Sequence, residues 1–120
     1  MDYTILASKE TIDKTVTALT ARGFQPLVVA TKEDALAKLK ELIPAGVSVN
    51  NGSSRTLEEI GFVDYLKAGA HGWNNLHAAA LAESDPQKQA ALRQQALFAD
   101  YYLGSVHALS SEGEIVMASA

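Results

Sequence analysis

The sequence predicts an α/β fold, a three-layer open and mostly parallel sheet with helices on both faces. Three observations carry that expectation. Helical and strand-like segments alternate along the chain, as they do where parallel strands are joined by crossover helices. Of the 120 residues, 48% are hydrophobic, which suffices for one core and leaves no room for a second, so residues 1–120 read as a single domain. Capping residues and glycines stand where each periodic segment starts or stops.

Taken in order, the first helix is expected over Lys9 to Arg22, with Ser8 as its N-cap, an apolar stripe of Ile12, Val16 and Leu19, and Gly23 as its stop. Leu27-Val28-Val29-Ala30 reads as a short buried strand. Thr31 then caps a second helix, whose first turn carries Glu33 and Asp34 where the helix dipole favours negative charge. Ala35, Leu36, Leu39, Leu42 and Ile43 give this helix its apolar face, and Pro44 ends it. Gly46 turns the chain into the strand Val47-Ser48-Val49. Beyond the polar run from Asn50 to Thr56 come a short helix, Leu57 to Ile60, closed by Gly61, and a second around Val63 to Ala68. From Gly69 to Asn75 the pattern breaks into a loop.

A long helix fits Asp85 to Ala99, with Asp85 as cap and Pro86 at the first helical position. Tyr101 to Leu109 is strand-like, Ser110-Ser111-Glu112-Gly113 has turn chemistry, and Glu114 to Ala118 forms the return strand of a hairpin. The apolar run Ile115-Val116-Met117 would then lie on an unprotected edge, so the sheet reads as unfinished.

Charge and composition exclude several functions. Ten basic against fourteen acidic side chains give net −4 and a pI near 5.2, the opposite of the basic footprint that nucleic acid or an anionic membrane requires. No cysteine is present, so disulfides, thiolate nucleophiles and Cys-ligated zinc or iron–sulfur clusters are excluded. No apolar run approaches the roughly 20 residues that span a bilayer, and no charged leader or signal core opens the chain, so a cytoplasmic domain is expected. Neither a Ser/His/Asp triad nor a Gly-x-Ser-x-Gly elbow occurs.

Chemistry concentrates in two stretches. The strand–Asn50 to Thr56–helix unit places Asn51, Gly52, Ser53, Ser54, Arg55 and Thr56 beyond the carboxyl end of a strand, where open α/β sheets bind ligands. Two readings stand side by side. Backbone amides and hydroxyls at the helix start could hold a small anion, with Arg55 as a bidentate partner. Alternatively the residues only cap the helix, Thr56-Leu57-Glu58-Glu59 being a capping-box pattern. In the second stretch, Asp100 is either a general base or the acceptor of nearby backbone donors. Gly104 marks a bulge or a close approach to ligand, and Ser105 and His107 alternate onto one strand face. His71 and His77 lie six apart, with no carboxylate at a ligand-like interval, and read as structural or surface histidines; no metal site is expected.

These stretches together are similar to one family. Thr31 to Leu36, Ile43-Pro44, Asn51 to Gly61 and Ala99 to Gly113 resemble the LUD domain, the lactate-utilisation family of LutC/YkgG type, in the family's order and over nearly the whole chain. The resemblance implies a fold like that of the sugar-phosphate isomerase and CoA-transferase superfamily (NagB/RpiA-like), whose members hold an anion on a Gly/Ser/Thr loop before a helix. By position that role falls to Gly52, Ser53, Ser54 and Thr56, with Arg55 beside them. It further implies that the family's domain continues past the hairpin, so that the sequence corresponds to its N-terminal part. LutC-type proteins are associated with oxidation of L-lactate to pyruvate beside iron–sulfur subunits, and a cysteine-free chain would leave the cluster to such partners. The leading expectation is therefore a small anionic metabolite bound at Asn51 to Thr56, with Asp100 to His107 as the other wall and no cofactor of the chain's own. Two alternatives accompany it. One is a sugar-phosphate isomerase or CoA-transferase relative using Asp100 or Glu59 as acid/base. The other is a non-catalytic assembly subunit docking through the Asp85 to Ala99 helix or the last hairpin strand, as a homo-oligomer or in a lactate-oxidising complex.

Overall fold

The computed structural model describes residues 4–118, which fall into two compact units, one of residues 29–105 and one drawn from both ends of the chain. Residues 29–105 form an α/β unit. Thr31 accepts a hydrogen bond from the Asp34 amide (3.1 Å) and opens the first helix of this unit, α2 (Lys32–Leu42). Strand β1 (Ser48–Asn51) follows, then the short helices α3 (Arg55–Glu59) and α4 (Phe62–Ala68). Gly61, at φ 87°, makes the sharp joint between them, a left-handed conformation that other residues adopt only under strain. Strand β2 (Asn74–Asn75), helices α5 (Leu76–Ala82) and α6 (Pro86–Ala96), and strand β3 (Tyr101–Leu103) complete the unit.

The sheet is parallel with order β2-β1-β3; Val49 is in register with Asn75 on one side and Tyr101 on the other. Strand β1 alternates, with Val49 and Asn51 buried and Ser48 and Asn50 half-buried, the period-two pattern of a strand with two unlike faces. Val49 and Phe62 are fully buried, and Ile43, Leu57, Leu66, Trp73 and Leu103 close the core around them. Trp73 stacks on His71 (centroids 5.5 Å) and donates its indole N–H to the Ile43 carbonyl (3.2 Å), so its polar edge is satisfied inside. On the other face, the Asn50 side chain donates to the Ala96 carbonyl (3.2 Å), a second donor to an acceptor that the Ala99 amide also reaches (3.3 Å).

The second unit holds helix α1 (Lys9–Ala21), capped by Ser8 Oγ on the Thr11 amide (3.2 Å), and the antiparallel strands β4 (Ala108–Leu109) and β5 (Ile115–Val116). The Arg22 side chain donates to the Glu112 carbonyl (3.1 Å), joining the end of α1 to the hairpin turn. Ile12, Val16 and Leu19 line an apolar groove of about 410 Å³ with Leu27, Val28 and Leu109.

Four expectations need correction. Leu27 to Ala30 forms no strand and is not buried: among the described residues its backbone joins no ladder, and Leu27 and Val28 are exposed. The segment from Tyr101 to Leu109 is two separate strands, because the chain leaves the sheet at Gly104-Ser105. Helix α6 stops at Ala96 instead of Ala99; the amides of Leu97, Phe98 and Ala99 bond three residues back, the tightened last turn of a helix end. Residues 76–82, for which the sequence reading assigned no element, form α5, capped by Asn75 Oδ1 on the Ala78 amide (3.1 Å). No helix among the described residues is long and apolar enough to cross a membrane.

Candidate functional site

All three strands of the sheet end on the same side, and the strand order reverses at β1. The chain passes from β1 to β2 on one flank, then crosses to β3 on the other. The carboxyl ends of β1 and β3 therefore flank a switch point, the place where open α/β sheets leave a crevice. Asn51, Gly52, Leu103 and Gly104 stand there. Ser54 joins the two rims: its hydroxyl donates to Ser105 Oγ (2.9 Å) and accepts from the Leu57 amide (3.1 Å). Ser54, not Thr56, is thus the N-cap of α3. The Thr56-to-Glu59 capping box does not form, because Thr56 already lies inside the helix.

Two clefts meet at this point and share Asn51, Gly52, His77 and Leu81 as lining. The first, of about 250 Å³, adds Ser53, Ser54, Glu58, Lys67 and Asn75. The second, of about 360 Å³, adds Asn50, Arg93, Leu97 and Tyr102. Asn51 lines both. It is 8% exposed, its Nδ2 makes one long bond to the Gly52 carbonyl (3.4 Å), and its Oδ1 is buried without a donor. A buried acceptor left unpaired costs about 1–3 kcal/mol.

Gly52 admits a close neighbour. A Cβ there would sit 2.5 Å from the Tyr102 hydroxyl, and one at Gly104 would sit 3.3 Å from the same ring. The tight approach expected at both glycines is made by Tyr102, whose ring lies across them at the mouth of the second cleft. The Gly52 amide donates to the Leu103 carbonyl (3.0 Å) and belongs to the sheet ladder. Ser53, Arg55 and Thr56 are exposed, and no partner for their amides is found among the described residues.

The remaining expected residues are not gathered here. Arg55 is 90% exposed and paired with Glu59 one turn on (3.2 Å), a surface ion pair worth little energetically. Glu59 points with it to solvent and lines neither cleft; the carboxylate at the first cleft is Glu58. Asp100 sits at the opposite, amino end of β3. It cannot form the other wall, because residues along a strand advance about 3.3 Å each and Asp100 is level with Ser48 rather than Asn51. The Ser48 amide and hydroxyl donate to Asp100 Oδ2 (2.9 and 3.0 Å), and the Asp100 amide donates back to Ser48 Oγ (2.9 Å). These bonds, the backbone one foremost, hold the Asp100 carboxyl below its ordinary value of 3.8. His107 belongs to the other unit, where its Nδ1 accepts from the Ala118 amide (3.1 Å) within the hairpin.

The Asp100 clamp has a checkable consequence. A carboxyl with a depressed folded value contributes stability above the unfolded value, lost as pH falls through the folded one. Asp100→Asn is therefore expected to destabilise the chain at neutral pH, with the gap to wild type closing below about pH 3.8 in denaturant titrations run from pH 7 to pH 2. A gap that persists unchanged at the acid end would show that the clamp is not electrostatic.

Tyr102 lies within the Asp100 to His107 stretch expected as a wall, and it lines the second cleft. His77 and Arg93 are lining residues without an expected role in ligand binding; they come from separate elements, α5 and α6, so no local motif announces them. No group of three or more His, Asp or Glu side chains that could hold a metal occurs among the described residues. Comparison with known proteins adds one finding: the family model described as the LUD domain matches residues 12–120. No curated protein and no solved structure matches the chain.

Proposed function

The chain belongs to the LUD domain family, and from that premise we propose that it serves lactate or related organic-acid utilisation by holding a small anionic metabolite where β1 and β3 end. The observation that carries the reading is Asn51. A polar side chain that is 8% exposed, makes only one long bond within the protein and lines two clefts at the reversal of strand order is a group the fold does not require and a ligand can use. Ser53 lines the first of the clefts, and Ser54 and Ser105 fix the loop that carries it.

In this reading the ligand is a hydroxy-carboxylate such as L-lactate, seated against the Asn51 side chain. Oxidation to pyruvate would rely on iron–sulfur partner subunits, since the chain has no cysteine with which to hold a cluster. The finer NagB/RpiA-like layering belongs to the same proposal and is supported by the parallel β2-β1-β3 order. A sugar-phosphate isomerase or CoA-transferase activity through Asp100 or Glu59 finds no support, because both carboxylates are engaged away from the clefts.

Asn51→Leu separates a binding role from a structural one. Leucine is close in volume and removes an acceptor that has no partner, so stability is expected to hold or rise. L-Lactate binding, followed by titration calorimetry, is expected to fall about tenfold or more. Wild type that binds neither L-lactate nor any other small carboxylate would overturn the reading, as would undiminished binding in Asn51→Leu.

A further inference from the structure

We propose that the anionic group of the ligand is held in the second cleft, by Arg93 of α6 with His77 of α5 beside it, and not by Arg55 at the start of α3. The inference rests on the functional reading above and assigns the charge-bearing half of that site.

Arg55 fails on geometry. Its guanidinium is 90% exposed, tied to Glu59, and lines neither cleft. Arg93 is the only arginine or lysine lining the second cleft, and among the described residues it meets no carboxylate. Arg93 is an exposed residue like Arg55, but it lines a cleft and has no counter-ion among the described residues, which leaves its fork of donors open to a bidentate carboxylate or phosphate. Around it stand other polar groups: the His77 imidazole, the Tyr102 ring with its hydroxyl, and the Asn50 amide. Leu81 and Leu97 supply the apolar remainder of the wall, room for a short hydrocarbon body. Lys67 lines only the first cleft, where Glu58 also stands and offsets its charge.

Asn51 connects the two functions, because its side chain lines both clefts and is poorly paired within the protein. A ligand whose oxyanion meets Arg93 and whose hydroxyl reaches Asn51 would occupy the larger cleft. The ligand class is therefore a small oxyanion carrying a hydrogen-bond donor next to its charge. Carboxylate and phosphate share the chemistry that Arg93 recognises, and the probes below distinguish them.

The experiment is titration calorimetry of the full chain with L-lactate, propionate and inorganic phosphate, on wild type, Arg93→Gln, Arg55→Gln and Lys88→Gln. Lys88 lies on α6 but lines neither cleft, so its variant loses the same charge from the same helix. Arg93→Gln is expected to weaken L-lactate about tenfold or more, the loss of one charge-assisted contact. Arg55→Gln and Lys88→Gln are expected to stay within about twofold of wild type, the range of a weak surface-charge effect. Propionate, which lacks the hydroxyl, is expected to bind more weakly than L-lactate and to depend on Arg93 just as strongly. Phosphate binding tighter than L-lactate, and equally dependent on Arg93, would make the ligand a phosphate and keep the subsite. Equal losses in Arg93→Gln and Lys88→Gln would reduce the effect to net charge and overturn the assignment. So would retained affinity in Arg93→Gln alongside loss in Arg55→Gln, an outcome that leaves the site at Asn51 standing. Wild type that binds none of the three probes removes both this assignment and the reading beneath it. Circular dichroism on each variant establishes that α6 is folded.

Discussion

Phe62→Ala is expected to lower the stability of the α/β unit by about 3–5 kcal/mol, the range for emptying a fully buried aromatic position. Phe62 has no exposed surface, and its ring lies 6.0 Å from that of Trp73 in the cluster that also buries Val49, Leu57 and Leu103. The loss has two parts, the transfer free energy of the ring and the cavity left when α4 and β1 cannot collapse onto it. A small domain is stable by only about 5–15 kcal/mol, so the variant is expected near the edge of folding at 37 °C. Urea titration at 25 °C measures it. Phe62→Leu, which keeps most of the volume, should recover more than half of the difference; a loss below about 1 kcal/mol in Phe62→Ala would mean the position is not packed as described. Because Val49 precedes Asn51 by two residues on the same face, loosening this core also loosens the floor of the clefts.

Gly113→Ala is expected to cost about 2–4 kcal/mol in the unit that contains α1, combining backbone strain with a contact that cannot yield. Gly113 has φ 82°, and a Cβ there would lie 3.1 Å from the Ala18 carbonyl carbon and 3.2 Å from the Ala18 Cβ. A helix backbone has no rotamer with which to retreat. Gly23 provides the comparison: at φ 90° it carries the same conformational demand, but a Cβ would meet nothing within 4 Å. Gly23→Ala should therefore cost only the strain, about 1–2 kcal/mol. The difference between the two variants, read from denaturant unfolding, isolates the seating of the hairpin turn on α1. Equal costs would mean that the turn stands off from the helix.

What could be read from the sequence was local. Ser8, Thr31 and Asp85-Pro86 open helices as expected, because a cap is decided by the side chain's reach to amides two or three residues on. Ser54 shows the limit of that logic: Ser54 and Thr56 both have the right chemistry, and only the path of the chain out of β1 decides between them. Strands depend on distant partners, and Leu27 to Ala30 has the composition of a strand but no ladder to join. Helix α5 carries no periodic signal, because Leu76-His77-Ala78-Ala79-Ala80-Leu81-Ala82 is rich in alanine and shows no clear stripe. The fate of Asp100 turned on Ser48, 52 residues away in the chain. Arg93, His77 and Tyr102 stand near Asn51 only because the sheet reverses its order there, which no spacing along the chain encodes.

The Ser54 hydroxyl oxygen stands within bonding distance of both Ser105 Oγ (2.9 Å) and the Leu57 amide (3.1 Å). Whichever of the two serines gives its hydrogen to the other, the Ser54 oxygen keeps a lone pair for the Leu57 amide. One side chain thus fastens the loop after β3 to the opening turn of α3. A substitution at Ser105 is in this way felt one strand over, at residues 55–57.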